Sequence, residues 1–213
     1  MPVIKNKTIN TLWTFGDSFT SYFHENDILW AKQYIQWKGG NNPKVFGDYV
    51  SEELGMKLKN YGIGGCDNYT IFGNICEQIN NIKDGDIVSI GWTHTQRFRV
   101  VDMEAQTWLS INPHMINEPG LGWMSNNTLL EMLDNRNHYL YGEELDNWIN
   151  IIDRALPNNK IIHWTWVDNR EFEKYNRVVE ETNGEVPDQH WSEIGHKQFS
   201  KWFIRKLNGN SKL

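Results

Sequence analysis

Four times along this chain, a short apolar run that reads as a β-strand is followed by apolar residues at helical spacing. That alternation narrows the available folds more than any other feature. Residues 12–15 form the first run, ending at Gly16, and residues 46–54 read as a helix stopped by Gly55. Residues 57–61 form the second run, which leads into Gly62, Gly64 and Gly65. Ile71, Ile75, Ile79 and Ile82 then mark a helical face, with Asp67 or Asn68 placed to cap its start. A third strand at 86–92 follows an Asp84-Gly85 turn. Leu145, Trp148, Ile149, Ile152 and Leu156 make the next apolar stripe, ended by Pro157. The fourth run is 160–167. Phe199, Trp202, Phe203 and Leu207 give a closing helix capped by Ser192. Strands and helices that alternate in this way pair their strands in parallel through right-handed crossovers, so the expectation is an α/β sandwich of three layers. At 213 residues this is one domain over 1–213. The stretch at about 95–140 breaks the rhythm. It is Asn-rich, carries Pro113, Pro119, Gly120 and Gly122, and is expected to be an irregular insertion or lid.

Composition removes several function classes. Hydrophobic residues at 39% and charged residues at 23% describe a folded chain rather than a disordered one. Lys and Arg total 21 against 27 Asp and Glu, and the net charge of -6 offers no basic face to displace counterions, so no nucleic-acid partner is expected. No run approaches the ~18 apolar residues of a membrane span. The opening residues lack an apolar signal-like core, which leads to the expectation of a cytoplasmic protein without a membrane partner. Cys66 and Cys76 are too few for a disulfide framework and read as reduced thiols. His94, His114, His138 and His163 lack the paired spacing of a helical metal motif, so no metal is expected. Aromatic residues reach 13%, with 11 Trp. Part of that belongs to a core, and part suits a surface for flat, partly apolar ligands such as sugars.

The chemistry gathers where strands end. In an open parallel sheet, ligands bind beyond the carboxyl ends of the strands. Gly16-Asp17-Ser18 follows the first strand and places the Ser18 hydroxyl at that edge, while Thr20 rules out a G-x-S-x-G elbow. A serine needs a base to act as a nucleophile. His190 lies in a loop before the last helix, which opens onto the same edge, and Asp188 stands two residues away to orient the imidazole. Asn60-Tyr61-Gly62-Ile63-Gly64-Gly65 lets backbone N–H groups approach a substrate. It is neither a dinucleotide fingerprint nor a phosphate loop. Each piece also has a plain structural reading: a capping serine, a surface histidine, a tight βα turn.

Together the pieces resemble the SGNH/GDSL hydrolase superfamily of esterases and lipases. Gly16-Asp17-Ser18 matches the nucleophile block, and Asn60-x-Gly62-x-x-Gly65 matches the block that carries the oxyanion glycine. Asp188-x-His190 matches the last block in part: the acid is one residue closer than usual and Trp191 replaces a Pro. The third block departs, since Gly91-Trp92-Thr93 stands where the family has Gly-x-Asn. The resemblance implies a flavodoxin-like α/β/α sandwich and a serine esterase without metal or cofactor. Ser18 would be the nucleophile, His190 the base and Asp188 the acid. The oxyanion hole would come from the N–H groups of Ser18 and Gly65, with Thr93 or Asn68 in place of the missing Asn.

Around this core, Trp92 and Trp191 are candidates to stack on a sugar or acyl chain, and Arg97 to bind an anionic group of the substrate, against the alternatives of core packing and a salt bridge. Asp17 is expected to fix its turn by accepting backbone N–H groups. The substrate expected is a small-molecule or carbohydrate ester. A catalytically silent carbohydrate-binding module and an O-acyltransferase are the competing readings.

Overall fold

The computed structural model describes residues 10–22, 40, 43–102, 106–111, 126–134, 138–166 and 190–209. Strand β1 is Thr11–Gly16, helix α1 Phe46–Leu54, β2 Lys57–Gly62, α2 Asn68–Gln78 and β3 Ile87–Trp92. A hairpin follows, β4 Phe98–Asp102 and β5 Thr107–Ile111, and then α3 Asn126–Asp134 and α4 His138–Ala155. The described chain closes with β6 Lys160–Thr165 and α5 Glu193–Leu207.

Among the described residues, β2-β1-β3-β6 make one sheet whose neighbours all pair in parallel. Both faces are covered, which makes three layers. Leu12, Phe46, Val50, Trp164, Phe199 and Phe203 pack the sheet against α1 and α5. Trp13, Phe15, Ile71, Val88, Ile90 and Ile152 pack the other face against α2 and α4. Alternate residues of one strand therefore serve opposite cores, as the two-residue period of a strand requires. The expected caps are in place: the Asp67 carboxylate accepts the Thr70 N–H at 3.0 Å and the Ser192 hydroxyl accepts the Gly195 N–H at 3.1 Å. α1 ends at Gly55. Its first N–H, on Phe46, donates to Nδ1 of buried His196 on α5, which ties the two helices of that layer together.

The sheet order reverses at β1, which has β2 on one side and β3 on the other. The crevice at the carboxyl ends of β1 and β3 is therefore where the fold opens a site. The stretch at 95–140 holds more regular structure than its composition suggests, since β4, β5 and α3 all lie within it. Among the described residues, no helix is long and apolar enough to cross a membrane.

Candidate active site

The loop after β1 is built around Asp17. Its carbonyl accepts the N–H groups of Thr20 at 2.9 Å and Ser21 at 3.0 Å, and its Oδ1 accepts the Phe19 N–H at 3.1 Å. This tight turn follows from an Asp whose side chain replaces a backbone partner. It lifts Ser18 to a half-buried position, and among the described residues none accepts the Ser18 N–H. The other oxygen, Oδ2, accepts Trp166 Nε1–H at 2.9 Å and Arg97 Nη1–H at 3.0 Å. Asp17 and Arg97 side chains are only 1% and 9% exposed, so this ion pair is buried beside the serine.

Ser18 Oγ and His190 Nε2 lie 2.5 Å apart, although 172 positions separate them in sequence. The Phe19 ring holds the imidazole from one side, with centroids 5.0 Å apart. Phe19 itself packs on Trp166 at 4.7 Å and Trp191 at 5.0 Å. With Nε2 turned to the hydroxyl, the neutral imidazole that accepts a proton carries its own on Nδ1. Asp188 lies outside the described residues.

The second loop is sewn onto the first. Asn60 Nδ2 donates to the Thr20 carbonyl at 2.8 Å, Asn60 Oδ1 accepts the Gly62 N–H at 2.8 Å, and the Ile63 N–H donates to the Gly16 carbonyl at 2.9 Å. A Cβ on Gly62 would fall 2.3 Å from the Ser21 backbone N, so only glycine lets the loops meet. Gly65 takes φ +73°, which other residues rarely adopt, and lines a groove of about 530 Å³. Beneath it, buried Cys66 directs its Sγ to the Gly16 carbonyl at 3.6 Å. Burial first, and then the Asp17 and Asp67 charges, push its thiol pKa far up and keep it neutral.

Several sequence candidates play other parts. Asn68 is clamped onto Thr93, accepting the N–H at 2.8 Å through Oδ1 and donating to the carbonyl at 2.9 Å through one of its two Nδ2 hydrogens, and it is buried at 7% exposure. The Thr93 hydroxyl is sealed in the interior and has no hydrogen-bond partner among the described residues. Trp92 is 3% exposed, donates to His163 Nδ1 at 3.1 Å and stacks on that ring, which makes it core. Trp191 is fully buried against Phe199 and Trp164 and does not stack on a ligand. Arg97 is held by Asp17 and the Cys66 carbonyl, so the salt bridge is what forms. Trp92 is enclosed because helices cover both faces of the sheet, Trp191 because it packs under α5, and Arg97 because Asp17 holds its guanidinium. Sequence reasoning missed Phe19 and Trp166. Their positions, directly after the serine and at the end of the last strand, were the available signals. Among the described residues, no cluster of His, Cys, Asp and Glu is suited to a metal.

No protein-family model matches the sequence, and no curated protein matches it either. Solved structures do. A structure assigned to the G-D-S-L family of lipolytic proteins, from Desulfitobacterium hafniense, is similar at 12% identity over 92% of this chain and 98% of that one, with a TM-score of 0.38. A catalytic mutant of Axe2, an acetylxylan esterase from Geobacillus stearothermophilus, is similar at 17% identity over 93% and 94%, with a TM-score of 0.42. A carbohydrate esterase, whose active site is described as having divergent catalytic and non-catalytic binding functions, is similar at 15% identity over 95% of this chain and 69% of that one, with a TM-score of 0.46.

Proposed function

We propose that this protein is a serine esterase that cleaves a carboxylic ester, with O-acetylated carbohydrate as the substrate class. The observation that carries the reading is the 2.5 Å approach of Ser18 Oγ to His190 Nε2 at the carboxyl edge of the sheet. Ser18 Oγ attacks the ester carbonyl carbon while its proton passes to His190 Nε2. The carbonyl electron pair moves onto oxygen, where the N–H groups of Ser18 and Gly65 are the assigned donors. The intermediate collapses, the C–O bond to the alcohol breaks, and the departing oxygen takes the proton from His190. Water then repeats the sequence on the acyl-serine and releases the acid. Asp188 is assigned to His190 Nδ1–H, holding the tautomer that the base needs. The exposed Trp108 beside the Gly65 groove supports a sugar as the substrate.

Hydrolysis of 4-nitrophenyl acetate tests the chemistry. Ser18→Ala is expected to lower the rate by ~10³-fold or more with an unchanged circular-dichroism spectrum. A fluorophosphonate is expected to modify Ser18, as mapped by peptide mass. Equal rates for both proteins would refute the nucleophile. Sugar binding without turnover or labelling would identify a non-catalytic module instead.

A further inference from the structure

Arg99 on β4 is held between two rings. Its guanidinium carbon lies 3.4 Å from the centroid of Tyr69 and 4.3 Å from that of Trp108. The hairpin register pairs Arg99 with Ser110 and Val101 with Trp108, so Arg99, Ser110 and Trp108 share one face of the ribbon. Two tethers fix that face to the candidate site. Ser110 Oγ–H donates to Asp67 Oδ2 at 2.6 Å, and Arg97, just before β4, is locked onto Asp17. The groove of about 530 Å³ that Gly65 borders is lined by Arg99, Trp108, Ser110 and Tyr69 as well, and Arg99 also lines a cavity of about 220 Å³ on its other side.

Stacking desolvates the flat faces of a guanidinium but leaves its edge, with parallel N–H donors, needing acceptors. Arg99 forms no ion pair with any described residue. Glu77 and Glu144 border the two cavities without pairing with it. A planar carboxylate matches that edge in a bidentate manner. Trp108 is 58% exposed, and of the eight tryptophans among the described residues it is the one in the exposed class. Its ring suits the C–H face of a pyranose. We propose that the β4–β5 hairpin builds a subsite for a carboxylate-bearing sugar beside Gly65, with Arg99 holding the carboxylate and Trp108 stacking on the ring. This deepens the esterase reading by naming an acidic saccharide ester as substrate, and rests on it for its purpose, while the binding itself does not involve Ser18.

The test therefore uses sugars without an ester. Calorimetry on the full chain compares methyl glucuronoside with methyl glucoside, which differ at one carbon. The uronoside is expected to bind about tenfold tighter or more. Arg99→Gln is expected to erase the difference and leave the glucoside unaffected, Arg99→Lys to restore part of it, and Trp108→Ala to weaken both sugars alike. Equal affinities, no binding of either sugar, or a preference that survives Arg99→Gln would each overturn the subsite. Hydrolysis of 4-nitrophenyl acetate by the wild type, a substrate with neither sugar nor carboxylate, tests the esterase reading separately. Loss of that hydrolysis in the wild type would sink the esterase reading alone.

Discussion

Asp17 and Asp86 stand at opposite ends of the same pair of strands. Both are buried, and each accepts an indole N–H at 2.9 Å, from Trp166 and Trp13 respectively. Their remaining partners differ. Asp86 takes the backbone N–H groups of Thr11 at 2.8 Å and Lys83 at 3.0 Å, all neutral, and so pins the start of β1 against β3. Asp17 takes a guanidinium from the segment that begins the hairpin. The amino edge of the sheet needs only register, which backbone donors supply. The carboxyl edge must hold three distant segments around Ser18, and a charge pair does this with direction and strength.

The comparison can be broken most directly at Arg97. Arg97→Met leaves the Asp17 charge buried and unpaired, with an expected stability loss of about 3–5 kcal/mol in urea titration and a fall in esterase kcat. Adding Asp17→Asn is expected to recover part of the stability but not the rate. A single-mutant loss below 1 kcal/mol would show that the pair does not matter. Asp86→Asn turns one acceptor into a donor at the quiet edge. It is expected to cost about 2 kcal/mol of stability and leave kcat/KM as it was. A drop in activity without loss of stability would erase the distinction between the edges.

The two thiols sharpen the same contrast. Cys66 lies inside the site edge and Cys76 is exposed on α2. Iodoacetamide on the native protein is expected to alkylate Cys76 and spare Cys66 until urea opens the fold, read by peptide mass. The smallest effect concerns the end of the loop after β1, where the Tyr22 hydroxyl donates to Asp48 at 3.0 Å. Desolvation, then the Asp48 charge, push the Tyr22 pKa up to about 12 from 10.0. The fold thus favours the neutral phenol. That contribution is complete below the unfolded pKa near 10 and is lost as pH rises from 10 through 12. Ultraviolet titration should show a tyrosine ionising late, and Asp48→Asn should bring it down.

Much of the scaffold was legible because its signals are local. The apolar runs, the Asp67 and Ser192 caps and the stop at Gly55 each act within a few residues. The meeting of Ser18 and His190 was legible because both follow strand-end logic in an α/β chain. The part of Trp92 was not. Alternation tells which side of a strand a residue takes, but when helices cover both sides it does not tell whether either side meets a ligand. The hairpin was missed because its pairs, such as Arg99 with Ser110, lie in a segment whose composition reads as loop.

By itself, the amino-acid sequence determined the order of strands and helices, the caps that bound them and the presence of a serine and a histidine at strand-end loops, since propensity and periodicity are properties of neighbouring residues. Only the tertiary structure decided that Arg97 belongs to Asp17, that Asn68 is bonded to the Thr93 backbone, and that Arg99 is left between two rings at the edge of a groove. Those outcomes are contests among groups 25 to 80 positions apart, or between facing strands. They are settled by which partner the packed layers bring within hydrogen-bond reach.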